Sequence, residues 1–502
     1  MINPDYSNAQ EELFTVPSRI HTEQSLRTFS SWGDTQLYNT IRDSFVYNLD
    51  LRKFKVNEII EKPYIIDNDF NITNIPSLYS SPRFLHRLFS DNTIKALTES
   101  GWDTVYHIGS KIRKYYLTTR LGVSCFITLD ETSGLYINSN YVAQSDAYLD
   151  NVTNFWSLWF PSGINSYYVF VLRNSLLYCY TSTPSSVYQF SGCKKTAAQH
   201  TAYSFIPVYQ HPPNIKNMLT GYKNVAIITD YSIIEPYFNG ITSIFSTEYV
   251  FTSIIKSSYL VDTDGSSLAS SASWYVLLEN GELWVKGDNT YGQLGINSDD
   301  AYIANWSKVD HLFDQISVGY YITYSNISSG NAVRLNTFVY GIDKETSYLY
   351  AWGSSTHNYP LGIDSSSIVT APTLILSVPV VKMQSTKMYD GDMTPSVFWD
   401  DYISAGGVFL ARDKSVYIAG NACWPALGDY GGANSISAND KKTVRKIPIN
   451  EPIVDIYIQS NGPYQSASPY QYNSQIGALL IAESGNLYSL NSLTQYYFNR
   501  VL

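Results

Sequence analysis

Charged residues are scarce in this chain: Asp, Glu, Lys and Arg make up 15% of its 502 residues, against about 25% in an average globular protein. What charge there is runs acidic, to a formal net value of −10. Nucleic-acid binding needs an excess of Lys and Arg to neutralise phosphates, so no nucleic acid is expected as a partner. Two short basic clusters, Lys111 to Lys114 and Lys441 to Lys446, read as solvated loop or strand-edge residues. Cysteine is rarer still. Cys125, Cys179, Cys193 and Cys423 show no Cys-x-x-Cys spacing, which removes zinc and dithiol readings, and a disulfide framework is not expected at this length. The seven histidines, at 21, 86, 107, 200, 211, 311 and 357, lack ligand spacing. No apolar run approaches the ~18 residues of a membrane span. The start, Met1-Ile2-Asn3-Pro4, has no basic region leading into an apolar one, so a Sec-type signal peptide is not expected either.

Catalytic signatures are missing too. The chain holds no Gly-x-Ser-x-Gly elbow, no nucleotide-binding glycine loop and no His-Glu-x-x-His. Acidic groups cluster at Asp67-Asn68-Asp69, Asp262-Thr263-Asp264-Gly265, Asp390-Gly391-Asp392 and Asp400-Asp401. The second begins like a calcium loop but lacks its late bidentate Glu, and turn chemistry accounts for Asp and Gly in loops without a metal. Neighbours such as Asp400 and Asp401 would point to opposite sides of a strand. No catalytic residue, cofactor or metal site is therefore expected.

In place of charge the chain has 44 tyrosines, with abundant Ser, Asn and Thr. Tyrosine favours strands and offers large amphipathic contact area. The most informative stretch runs Gly281-Glu282-Leu283-Trp284-Val285-Lys286-Gly287, then Gly292-Gln293-Leu294-Gly295. Its core recurs as Leu349-Tyr350-Ala351-Trp352-Gly353 and Val416-Tyr417-Ile418-Ala419-Gly420, and the loop ending recurs as Leu361-Gly362 and Leu427-Gly428. Weaker copies are Gly134-Leu135-Tyr136, Leu177-Tyr178, Ser232-Ile233-Ile234 and Gly485-Asn486-Leu487-Tyr488. Each follows an apolar, β-rich run, for instance Val123–Ile127, Tyr168–Leu172, Trp274–Leu278 and Gly407–Leu410. Apolar run, polar turn, then apolar-aromatic run is a hairpin signature, and Asn280-Gly281 suits a tight primed turn. Ile316–Gly319, Val381–Met383 and Ile453–Ile456 read as innermost strands preceding three of these hairpins.

This pattern resembles the repeats of the regulator of chromosome condensation family, most fully over residues 281–295. The resemblance implies a seven-bladed β-propeller, with markers at 136, 178, 234, 284, 350, 417 and 488. Some members exchange guanine nucleotides on a small GTPase, but their loop residues do not align with this chain.

The expected organisation is an all-β propeller over 93–502 behind an N-terminal extension, 1–92, of mixed and irregular structure. Asp34 suits a helix cap before Leu37, Ile41 and Phe45, and Ser81-Pro82 suits a second helix start before Phe84, Leu85, Leu88 and Phe89. The extension either anchors the chain to a partner or packs on itself. Ile94–Leu97 and the C-terminal Tyr496-Tyr497-Phe498 compete as the outer strand closing the last blade. The composition suits a non-enzymatic structural or interaction protein of a virion, such as a phage tail or capsid component, held among other proteins of a larger assembly and binding a host surface glycan or protein through its loops. A cytoplasmic exchange factor or scaffold and a carbohydrate-active propeller are the alternatives.

Overall fold

A computed structural model describes residues 72–73, 84–88, 92–98, 101–120, 123–139, 147–159, 167–181, 204–209, 214–220, 224–239, 243–261, 272–325, 332–355, 359–363, 368–386, 405–420, 442–447, 449, 451–465, 472–484, 487–489 and 499–500. The chain divides into one unit of Met1–Asp67 with Phe89–Asp91 and another of Asn68–Leu88 with Asn92–Leu502. All described residues belong to the second unit.

Every regular element among the described residues is a strand, and the sheets follow chain order. The first joins β1 (Ile72–Thr73), β2 (Phe84–Leu88), β3 (Thr93–Thr98) and β4 (Gly101–His107). The second joins β5 (Ile112–Arg120), β6 (Val123–Asp130), β7 (Leu135–Ser139) and β8 (Ala147–Leu149). The third has β9 (Val152–Trp159), β10 (Tyr167–Arg173), β11 (Leu176–Thr181) and β12 (Ser204–Tyr209); the fourth has β13 (Asn217–Thr220), β14 (Val225–Ile228), β15 (Ser232–Asn239) and β16 (Ser243–Val250). A seven-stranded sheet follows: β17 (Ile255–Val261), β18 (Ser273–Leu278), β19 (Glu282–Asp288), β20 (Tyr302–Ser325), β21 (Ala332–Asp343), β22 (Leu349–Gly353) and β23 (Val369–Leu376). The next is β24 (Val380–Ser385), β25 (Gly406–Ala411), β26 (Val416–Gly420) and β27 (Arg445–Lys446). The last is β28 (Ile453–Gln465), β29 (Tyr472–Ala482), β30 (Leu487–Ser489) and β31 (Asn499–Arg500).

The seven-stranded sheet is two blades fused by one strand. Up to Leu312, β20 pairs with β19 as the outer strand of one blade; from Phe313 it pairs with β21 as the inner strand of the next. The described strands thus form eight four-stranded blades, not the seven expected. The additional one is the first, β1–β4. Two of its strands lie before residue 93, so the boundary expected at 92 falls inside a sheet. Phe84, Leu85 and Leu88, read as a helix face, stand in β2, whose residues pair with β1 and β3: pairing on both edges overrides a local helix cap. Phe89 and the segment around Asp34 lie outside the described residues. Ile94–Leu97 belongs to β3 of the first blade and does not close the last one. The C-terminal end does, since Asn499–Arg500 pairs with β30; Tyr496-Tyr497-Phe498 is outside the described residues.

Inner strands of successive blades touch, β9 with β13, β13 with β17, β20 with β24 and β24 with β28, and β28 touches β1, which touches β5. With β6 touching β9 and β18 touching β20, the circuit of blades is complete and the fold is a β-propeller. Second strands are covered by blades on both sides, so β14, β18 and β25 are buried at every residue, as their unbroken apolar runs require. Third strands lie farther out: β19 alternates, with only Leu283, Val285 and Gly287 buried, and β22 and β26 leave only Tyr350 and Tyr417 half-buried.

The turns between second and third strands tie the blades together. Val152 N donates to Ser133 O (2.8 Å), Phe313 N to Gly281 O (2.9 Å), Val380 N to Ser347 O (2.8 Å) and Ile453 N to Lys414 O (3.0 Å), each from one blade's inner strand to the preceding blade's turn. All four acceptors have positive φ, 69°, 93°, 62° and 67°, which aims their carbonyls at the neighbour. Only Gly281 of the Asn280-Gly281 pair is left-handed, and Gly281 N bonds Leu278 O (2.9 Å). The hairpin is therefore a type I turn followed by a left-handed residue, not the expected two-residue primed turn. Likewise Ser133, and not Gly134, takes the positive φ. A non-glycine residue in this region is strained by about 1–2 kcal/mol, and glycine costs about 0.5–1 kcal/mol in chain entropy. Ser133→Gly is accordingly expected to raise stability by up to ~1 kcal/mol in urea unfolding; a clear loss would refute the strain argument.

Candidate interaction face at the inner-strand starts

The repeat residues occupy one set of structural positions. Leu135, Leu177, Leu283, Leu349 and Val416 are buried against the following blade. The paired aromatics Tyr178, Trp284, Tyr350 and Tyr417 are half-buried and pack toward the preceding one. Tyr136 packs against Tyr148 of β8 with the rings tilted and their centroids 4.9 Å apart. Gly134 N donates to Asp130 Oδ1 (2.7 Å). Leu294 and Leu361 reach across to the next blade's core, where Gly295 faces Trp352 and Gly362 faces Ala419. Gly287, Gly353 and Gly420 stand at or next to the ends of third strands, against the backbone carbonyls of Ala272, Thr337 and Ala405. Backbone positions place Leu487 and Tyr488 in β30. Gly485, Leu427 and Gly428 lie outside the described residues, as do all four acidic clusters, Cys193 and Cys423.

Inside the loop after β19, Gln293 is fully buried. Its Nε2 donates to Asp288 Oδ2 (3.0 Å), its Oε1 accepts from Tyr291 N (2.7 Å), and its backbone oxygen accepts from Trp352 Nε1 (3.0 Å) and Tyr275 OH (3.1 Å). Burial pushes the Asp288 carboxyl above its ordinary value, against the hydrogen bonds from Thr290 and Gln293. This network holds the loop in place. Among the described residues no three His, Cys, Asp or Glu side chains gather to hold a metal, and Cys179 is a buried core thiol whose pKa burial pushes up. No helix among them is long and apolar enough to cross a membrane.

At the seam within the fused sheet, His311 Nε2 lies 3.0 Å from Asp343 Oδ2, and its ring packs on Phe313 and Tyr350 with centroids 4.7 and 4.4 Å away. Burial raises the Asp343 pKa, but hydrogen bonds from Thr346 and the nearby His311 outweigh it and leave the carboxyl below its ordinary 3.8. A depressed folded value means the ionised group stabilises the fold above the unfolded value and the gain is lost as pH falls through the folded one. Asp343→Asn should melt lower at pH 7 than the parent and lose less of its melting temperature as pH falls below about 4. Equal pH profiles would deny Asp343 this role.

What the sequence reading missed is the geometry where inner strands begin. Ile112-Arg113-Lys114-Tyr115, Val152-Thr153-Asn154-Phe155, Phe313-Asp314-Gln315-Ile316, Val380-Val381-Lys382-Met383 and Ile453-Val454-Asp455-Ile456 share one pattern, two apolar residues around two others. The pairing shifts register inside each. Apolar spacing of three, where a strand needs two, is the trace of a β-bulge, and bulges re-aim side chains. The re-aimed residues and their immediate neighbours strap the second to the eighth blade in succession. Lys114 Nζ donates to Asn154 Oδ1 (2.7 Å), Trp156 Nε1 to Asn217 Oδ1 (2.9 Å) and Lys216 Nζ to Ile255 O (2.6 Å). Lys256 Nζ reaches Asp314 Oδ1 (2.6 Å), Gln315 Nε2 reaches Val381 O (3.3 Å) and Lys382 Nζ reaches Asp455 Oδ1 (2.6 Å). Of the cluster Lys111 to Lys114, read as solvated loop or strand-edge residues, Lys111 and Arg113 are exposed, with Lys111 beside Glu131 at 2.5 Å and Arg113 Nη2 donating to Thr153 O (2.9 Å), whereas Lys114 is half-buried. Arg445 and Lys446 form the edge strand β27.

No protein-family model and no curated protein sequence matches this chain. Its fold is similar to solved structures at low identity. Human WBSCR16 aligns at a TM-score of 0.41 and 12% identity, covering 71% of this chain and 84% of that one. Yeast RCC1 (Prp20), solved with Kap60 bound, aligns at 0.40 and 11%, covering 70% and 75%. BamB from Moraxella catarrhalis aligns at 0.37 and 9%, covering 86% and 97%.

Proposed function

We propose that this chain is a non-enzymatic interaction platform, a virion component of the phage tail or capsid-associated kind, built on repeats like those of the regulator of chromosome condensation family. The observation that carries the platform reading is the rigid inner-strand face. Backbone bonds and side-chain straps lock it blade to blade, and it nevertheless exposes aliphatic residues that the fold does not need there. Low charge and 44 tyrosines support broad protein contact over ionic recognition; the virion assignment rests on composition and the repeat resemblance. Proteomics of purified source particles, with light scattering on the isolated full chain, tests it. The chain is expected in the particles and in a multimeric or partner-bound state. A monomer absent from the particles would end the virion reading.

A further inference from the structure

The face where inner strands begin is divided into two sectors by chemistry. In the later blades, one of the two positions on either side of the first apolar residue of each inner strand is an exposed aliphatic, Ile254, Leu312, Val381 and Val454, exposed by 38%, 42%, 42% and 45%, the other being Lys256, Asp314, Pro379 and Pro452. In the earlier blades the matching positions are Lys111 and Arg113, Asn151 and Thr153, and Asn214 and Lys216. One structural position thus accepts Arg, Thr, Lys and Asp as readily as Val. The aliphatic choice in the later blades is therefore not required by folding, and grouped exposed apolar residues mark contact surfaces.

Charge supplies the second, independent feature. Around the earlier blades Lys111, Arg113, Lys114 and Lys216 outnumber the acids paired with them, Glu131 at 2.5 Å from Lys111 and Asp230 at 3.7 Å from Lys216, although the whole chain carries −10. Deepening the platform reading, on which it rests, we infer that this face docks an acidic, amphipathic polypeptide segment of a partner protein, apolar side over the later blades and carboxylates toward the earlier ones. Within the aliphatic sector Asp314 and Asp455 are paired with Lys256 and Lys382, each at 2.6 Å. That sector offers no excess positive charge to a flat anionic membrane, whereas a two-sided segment needs its carboxylates only over the earlier blades.

The test uses the full chain and a fluorescein-labelled amphipathic Leu/Glu peptide, with a Leu/Lys counterpart and phosphatidylserine vesicles as the other arms. Anisotropy should show the Leu/Glu peptide binding more weakly as salt rises, and the Leu/Lys peptide not binding. R113E/K216E and, separately, V381D/V454D should each lower affinity at least about tenfold. Because Arg113 also straps a neighbouring strand, each variant is first melted, and V454D alone, at an exposed site, serves if the double changes unfold. Equal binding of both peptides, indifference to all the variants, or binding to vesicles in place of peptide would overturn the assignment. If the peptide fails while the chain still co-purifies with particles, this docking surface is wrong and the platform reading stands; absence from particles with variant-sensitive peptide binding removes the virion reading alone.

Discussion

Replacing Gly287 by valine is expected to leave little folded protein. The residue stands one before the end of β19 with φ of +103°, and a Cβ built on it would stand 1.8 Å from the carbonyl oxygen of Ala272. Both costs fall on backbone, which has no rotamer with which to escape. Left-handed strain contributes about 1–3 kcal/mol and overpacking a similar amount, so a loss of roughly 3–5 kcal/mol is expected, a large part of a domain's stability. Gly109→Ala is the control, since nothing lies within 4 Å of its added Cβ. Soluble yield and thermal melts followed by circular dichroism decide the matter; a Gly287→Val melt within a few degrees of the parent would contradict the close approach.

The second large effect is expected from Trp352→Ala. Trp352 is fully buried, stacks on Phe313 at 5.2 Å between centroids and donates from Nε1 to Gln293 O at 3.0 Å. Truncating a buried aromatic of this size costs about 3–5 kcal/mol. It would empty the seam between β19 and β22, where the loop residue Leu294 also packs. Trp352→Phe should cost less, about 1–2 kcal/mol, because the ring contact persists while Gln293 O keeps its bond from Tyr275. Gly295 sets a further check. Its added Cβ would lie 2.6 Å from Trp352 Nε1, so Gly295→Ala and Trp352→Phe should be less than additive in urea unfolding. Strict additivity would mean that the loop does not press on the indole.

Much of the architecture is legible in the residues themselves. All seven marker positions stand in third strands, and each apolar run before them forms a second strand, because strands covered on both sides need unbroken apolar sequence. Ile316, Val381 and Ile453 do lie in inner strands. The first blade escaped notice because β2 and β3 carry no glycine-aromatic core, and local propensity at Ser81-Pro82 favoured a helix that sheet pairing overrode. The fused sheet was hidden for a different reason: nothing in Val309 to Gly319 distinguishes one continuous strand from two.

The interaction face divides the same way. The two-residue insert between apolar positions is written in the sequence at Arg113-Lys114 and Val381-Lys382, and a spacing of three is readable as a bulge. That these inserts stand side by side, strapping Lys382 to Asp455 and sorting apolar from basic sectors, depends on bringing together residues far apart in the chain, 73 positions for that pair. Composition and repeats by themselves determined strand order, turn positions and the glycines that permit close approach, since these are local demands on φ and burial. Blade number, ring closure and the grouping of Ile254 with Val454 came only with tertiary structure, because each is a matter of which distant strands become neighbours.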